Sequence, residues 1–285
     1  MPASLRMRVF AGPNGSGKST MYRHVRNAKV NGRNIDFGVY VNPDEVAKAF
    51  REEGAIDLNS LVQIESGRAD FERYLPNTTL IPTKISLKEV SKAVEWSGSR
   101  ISLTDRRNVD RIAQLVTQFI CDELLRNKRK FSFETVFSDT SKLKIMDRAN
   151  DLGYKTYLYF ISTGHPEINR ERVKFRVEQG GHDVPSKTIW DRYFRSLGLL
   201  EPAIKRAYHA FVYDNTEESV MFAEYKIHKA GPFWHFYWAD IPDWFIKYYM
   251  DRCGSQDIED AAKFALHARI LGVGRNPDRG GLGHR

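Results

Sequence analysis

The hydrophobic positions of this chain fall into short runs separated by longer mixed stretches. Runs rich in Val, Phe, Tyr and Ile, each bounded by turn or cap residues, predict strands at 7–11, 38–42, 131–135, 155–161 and 209–214. The stretches between them read as helices at 18–29, 44–53, 86–96, 105–128, 141–152, 166–178, 186–196 and 199–207. Strands that alternate with helices predict an α/β fold, a parallel sheet with helices on both faces. A ligand of such a sheet binds at the carboxyl ends of its strands.

Two stretches break the alternation. Residues 55–108 contain Pro76, Pro82, several Ser/Thr turns and a helix-like run from Leu87 to Trp96. They read as a helical insertion at the active-site end of the sheet, either substrate-related or a plain cap. Residues 219–250 are dense in aromatics, among them Phe222, Tyr225, Trp234, Trp238, Trp244 and Phe245. A hairpin and helix packed on the sheet is the preferred reading; a stacking surface for bases or sugars is the other. The expected organisation is one domain over 1–272, with 55–108 inserted, a lid at 166–196, the aromatic-rich elements at 219–250, and a glycine-rich disordered tail at 273–285.

Composition narrows this little. The 285 residues are 41% hydrophobic and 28% charged, ordinary for a soluble globular chain. No apolar run approaches the ~20 residues that span a bilayer, and MPASLRMRVF lacks the apolar core of a signal peptide. The expected compartment is the cytoplasm, with no membrane contact. Cys121 and Cys253 have no metal-ligand spacing and read as reduced thiols. The net charge of +8 is dispersed, which points to a solvated surface plus a phosphate pocket rather than to nucleic acid.

The chemistry is concentrated in VFAGPNGSGKST at 9–20. Gly12 to Ser19 spell G-x-x-x-x-G-K-[ST], a loop whose glycines let successive N–H groups turn around an anion. Lys18 can reach the β- and γ-phosphates, and the Ser19 hydroxyl can bind Mg²⁺. A helix opening at Ser19 and Thr20 adds a favourable field for phosphate. The expected nucleotide-binding run is therefore Gly12, Pro13, Asn14, Gly15, Ser16, Gly17, Lys18, Ser19 and Thr20, with ATP and Mg²⁺ as cofactors.

Four further features turn a nucleotide binder into a kinase candidate. Asp44, in VYVNPD, either accepts the proton of an attacking hydroxyl or caps the following helix. Glu134 and Thr135 end a strand, where Glu134 holds an acceptor hydroxyl or, through water, Mg²⁺ and Thr135 offers a hydroxyl to the same ligand, or the two simply finish the strand. Arg172 and Arg176 share a helix face, as do Arg192 and Arg195, and a lid studded with arginines can clamp a triphosphate. The turn at Asp214, Asn215 and Thr216 could sit beside the adenine or be a plain turn.

These pieces together resemble the zeta toxin family of P-loop kinases. The resemblance is carried by AGPNGSGKST, VNPDEVAKAF, FSFETVFS, RVKFRVEQGGHDVP with RYFRSL, and VYDNT, across roughly 6–216 without the insertion. It implies an ATP- and Mg²⁺-dependent kinase acting on a nucleotide-sugar hydroxyl such as that of UDP-N-acetylglucosamine, with a separate antitoxin as partner. It implies Lys18 and Ser19 on ATP and Mg²⁺, Asp44 as base, Glu134 and Thr135 on the acceptor, and Arg172 or Arg176 on phosphates. His182 stands near the place of the family's second lid arginine, so that role passes to Arg192 or Arg195. A kinase of nucleic-acid ends or another metabolite, and a nucleotide-dependent regulatory ATPase, are the alternatives; no clear Walker-B Asp supports the last.

Overall fold

The computed structural model describes residues 4–30, 32–78, 80–81, 85–229, 231–237 and 241–253. Its elements run β1 (Arg6–Ala11), α1 (Lys18–Asn27), β2 (Lys29–Val30), β3 (Arg33–Asn34), β4 (Val39–Val41), α2 (Pro43–Glu52), β5 (Ala55–Asp57), α3 (Leu58–Val62), α4 (Arg68–Tyr74), α5 (Leu87–Ala93), β6 (Val94–Ser97), β7 (Arg100–Leu103), α6 (Val109–Arg126), β8 (Phe131–Thr135), α7 (Ser141–Asp151), β9 (Lys155–Ser162), α8 (Pro166–Glu178), α9 (Ser186–Gly198), α10 (Leu200–Ile204), β10 (His209–Asp214), β11 (Val220–His228) and β12 (Gly231–Phe236). Helical turns follow over 243–253. The class is α/β, as the alternation predicts: seven principal strands, mostly parallel, flanked by helices. The chain divides into two compact units, one of Arg6–Asp36 with Thr135–Arg285, the other of Met1–Leu5 with Phe37–Glu134.

In the first unit β1 pairs in parallel with β9, and β9 with β10, from Arg6↔Lys155 to Asp214↔Ser162. Both faces of β1 are buried, which is why Met7, Val9 and Ala11 alternate with Arg8 and Phe10 without an exposed position. Phe10 stacks on Tyr159 at 4.6 Å, and Tyr159 on Phe211 at 4.9 Å. The antiparallel hairpin β11–β12 extends this sheet from β10. Trp234 meets Phe245 at 5.7 Å and Tyr249 at 5.0 Å, so the aromatic-rich segment is a hairpin and helical turns packed together. Trp238 and the tail from 273 lie outside the described residues.

In the second unit β4 pairs in parallel with β8, and α2 packs on the long, buried α6. The inserted stretch is only partly helical, which corrects the sequence reading. Helix α5 stops at Ala93, and β6, β7 and β5 form a three-stranded antiparallel sheet. The signal was there: Val94 and Trp96, then Ile101 and Leu103, alternate around a turn at Gly98, whose φ is 60°. No helix among the described residues is long and apolar enough to cross a membrane.

Candidate nucleotide and acceptor site

The phosphate loop leaves β1 at Ala11 and enters α1 at Lys18. Its three glycines are needed for different reasons. Gly12 has φ 144°, and a Cβ there would lie 1.9 Å from the Ile161 carbonyl oxygen. Gly15 has φ 74° and abuts the backbone of Asn169, 2.6 Å from a built Cβ. Gly17 has φ 95°, with the Asn215 side-chain nitrogen 2.4 Å from the same imagined atom. Gly17 is also the N-cap of α1, where no side chain caps the helix and no acidic residue stands in the first turn. An uncapped N-terminus keeps its N–H groups and its positive end for an anion.

Lys18 extends back over the loop and donates to the Pro13 carbonyl at 2.8 Å. Ser19 and Thr20 are exposed on the first turn of α1. Ser16 is fully buried, yet its hydroxyl has no partner among the described residues. A buried hydroxyl left without a partner is costly unless a ligand or water completes it.

The four arginines of α8 and α9 separate into distinct positions. Arg172 donates to the carbonyls of Asn215 at 2.7 Å and Thr216 at 3.2 Å. Arg176 donates to the His182 carbonyl at 2.6 Å, where the chain turns between α8 and α9. Arg195 is exposed and turns back to the Asp191 carbonyl, one helical turn earlier. Arg192 alone of the four reaches the phosphate loop, 3.4 Å from Asn14 Oδ1. His182 is exposed. Val173, Val184 and Ile189 form a small apolar cluster that holds α8 and α9 together.

Asn215 reaches the loop rather than standing apart from it. Its side-chain amide donates to the Ser16 carbonyl at 2.9 Å, and Asp214 accepts from Thr216 and from the Trp244 indole. From α8, Asn169 donates to the Asn14 carbonyl at 2.5 Å. Sequence reasoning passed over Asn169, because one polar residue in a polar helix carries no periodic signal.

In the other unit Asn42, not Asp44, is the N-cap of α2. Its Oδ1 accepts the Asp44 N–H at 2.9 Å, with Pro43 at the first helical position. No hydrogen bond or ion pair engages the Asp44 carboxylate among the described residues, and Asp44 is exposed. The same Asn42 donates through Nδ2 to Glu134 Oε2 at 3.0 Å, and the Tyr40 hydroxyl donates to that oxygen. Glu134 is thus a buried carboxylate whose partners include the neutral donors Tyr40 and Asn42. Burial, then the Glu134 charge, pushes the Tyr40 phenol well above its ordinary range. Glu45 is pushed up by desolvation and then by the charges of Glu134 and Asp44. In the first unit, Thr135 accepts the Phe137 N–H at 3.1 Å, beside a positive φ of 57° at Phe137. Tyr40 and Asn42 carried a signal, an Asn-Pro-Asp helix start after a strand, that was read for Asp44 alone.

The residues present fit a triphosphate: a cradle closed to any Cβ, an uncapped helix end and a buried, partnerless hydroxyl. Among the described residues no cluster of three His, Cys, Asp or Glu side chains could hold a metal. A Mg²⁺ that arrives with phosphates needs only one or two protein oxygens, and the Ser19 hydroxyl suits that role.

These features are those of a P-loop NTPase-like α/β fold. Residues 100–226 match the family model for zeta toxin, a span that takes in Glu134, Thr135, α8, α9 and Asn215 but begins after the phosphate loop and Asp44. Over that span, a little under half of the chain, the protein is similar to the zeta toxin family. An uncharacterized protein of Haemophilus influenzae is 33% identical over 63 residues, 22% of this chain and 45% of its own, so the chain matches less than half of that relative. The structure of AvrRxo1-ORF1:AvrRxo1-ORF2 with sulphate ions aligns over 98% of this chain and 74% of its own, at 11% identity and a TM-score of 0.51, a likeness of fold. The PezAT chromosomal toxin-antitoxin system of Streptococcus pneumoniae aligns over 95% and 88%, at 12% identity and a TM-score of 0.42.

Proposed function

We propose that this protein is an ATP- and Mg²⁺-dependent kinase that moves the γ-phosphoryl group to a hydroxyl of a small molecule, a nucleotide-sugar such as UDP-N-acetylglucosamine. The observation that carries the reading is the phosphate loop, with its glycines at positive φ and its uncapped helix end. In this mechanism the loop N–H groups and Lys18 hold the β- and γ-phosphates. The Ser19 hydroxyl would hold Mg²⁺ in part, and the ion would supply charge neutralisation on the transferred group. Asp44 takes the proton of the acceptor hydroxyl, a role supported by its exposure and by its release from capping. Glu134, fixed by Tyr40 and Asn42, and Thr135 bind the acceptor; His182 is assigned to the same acceptor. Arg192 is the lid arginine best placed for phosphate charge; Arg172, Arg176 and Arg195 serve the lid around it.

The proposed partner is a separate antitoxin protein, a reading that rests on the zeta toxin match, and the proposed compartment is the cytoplasm. The test is ATP consumption by purified protein with Mg²⁺, with and without UDP-N-acetylglucosamine, with products read by mass. A phosphorylated nucleotide-sugar that vanishes in Lys18→Ala and in Asp44→Asn establishes reaction and acceptor. ATP binding without that product overturns the acceptor and leaves the loop assignment standing.

A further inference from the structure

Two peptide planes of the phosphate loop are held from outside by asparagine side chains on two different elements. Asn169, fully buried on α8, donates to the Asn14 carbonyl at 2.5 Å. Asn215, after β10, donates to the Ser16 carbonyl at 2.9 Å. A trans peptide directs its C=O and the next N–H to opposite sides. Turning the Asn14 carbonyl toward Asn169 therefore turns the Gly15 N–H away from α8, into the loop. Turning the Ser16 carbonyl toward Asn215 does the same for the Gly17 N–H.

The two glycines are the residues that meet these asparagines. A Cβ at Gly15 would strike the Asn169 carbonyl, and one at Gly17 would strike the Asn215 amide. Gly15 is not required by the G-x-x-x-x-G-K pattern, so its presence is explained by Asn169. The Asn169 amide is itself oriented: its Oδ1 accepts the Thr163 hydroxyl, and the Thr163 carbonyl accepts the Tyr193 hydroxyl at 2.6 Å. Asn215 is fixed through its backbone by Arg172.

We propose that Asn169 and Asn215 are positioning residues of the phosphate loop, each fixing one peptide plane so that the Gly15 and Gly17 N–H groups face the bound β-phosphate. The proposal rests on the loop being the nucleotide site. It gives Asn215 a role on the loop backbone rather than beside a base.

Isothermal titration of ATP, ADP and AMP, with Mg²⁺, tests it. Asn169→Ala and Asn215→Ala should each raise the dissociation constants of ATP and ADP by about tenfold, the weight of one well-placed hydrogen bond. AMP, which has no β-phosphate, should bind as in the parent, whereas a general loosening would weaken all three alike. An unchanged ratio of AMP to ADP affinity in both variants, with Lys18→Ala still impairing ATP, overturns the positioning role and keeps the nucleotide site. Lys18→Ala binding ATP as the parent does overturns the site and the proposal with it. Should Asn169→Ala not fold, Thr163→Val removes the hydroxyl that orients the amide, and the same ratio decides.

Discussion

Arg172 holds Asn215 by its backbone: Nη1 donates to the Asn215 carbonyl at 2.7 Å while Nη2 reaches the Thr216 carbonyl at 3.2 Å. A planar fork that spans two successive carbonyls is a geometry Lys cannot reproduce. The arginine that sequence resemblance assigns to phosphates is here engaged with the turn beside the phosphate loop. Arg172→Lys should therefore lose up to about 1.5–3 kcal/mol of stability, the range for hydrogen bonds to a charged group. Urea unfolding checks it; an unchanged midpoint with a large fall in turnover would favour the phosphate role instead.

Asp44→Asn should leave the unfolding midpoint unchanged, because the cap oxygen of α2 belongs to Asn42. Phosphoryl transfer should fall by about 10²-fold or more, the scale of a general base. Single-turnover kinetics alongside thermal melts separate the two effects. Full transfer in this variant would remove Asp44 from the base role.

Asn42 has two tasks, which two substitutions divide. Asn42→Ala removes the cap and should destabilise by about 1 kcal/mol. Asn42→Ser keeps a capping oxygen and should recover most of that, while still losing the amide bond to Glu134. Recovered stability with persistently lowered turnover would assign the amide to the acceptor side; recovery of both would reduce Asn42 to a cap.

Glu224 predicts an acid-side dependence. Its carboxylate is held below the usual range first by the hydrogen bond with His209, and then by the Tyr237 hydroxyl at 2.6 Å. A depressed folded pKa gives stability that is present above the unfolded value of about 4.3 and is lost as pH falls through the folded one. Melting temperature followed from pH 7 downward should show this loss, and Glu224→Gln should flatten it. Equal acid limbs in both proteins would contradict the assignment.

The parallel strands and the phosphate loop were legible because each combines local composition with a local break. Arg6–Ala11 and Lys155–Ser162 are apolar runs closed by turn residues, and the loop motif is contiguous. The 94–103 hairpin was missed because Leu87 to Ala93 is a true helix, and its pattern was carried three residues too far. The sequence does not mark Asn169 and reads Asn215 only as beside an adenine or in a plain turn, since each side chain meets a carbonyl more than 150 residues away along the chain. Asp44 reads from sequence as either a base or the helix cap, and the structure gives the cap to the Asn two positions earlier, which satisfies the same rule.

The strand pairing of the first unit also sets a schedule for synthesis. Arg6 pairs with Lys155, and the Ser16 carbonyl waits for Asn215, so the loop meets a partner made 199 residues later. At about 5–20 residues per second, roughly 200 residues take on the order of 10–40 seconds to emerge. Residues 37–134, contiguous in sequence, need no such wait. A ribosome-bound chain therefore lacks a finished phosphate loop until the 214–216 turn has been made, and fragments ending before it should neither retain nucleotide nor turn it over.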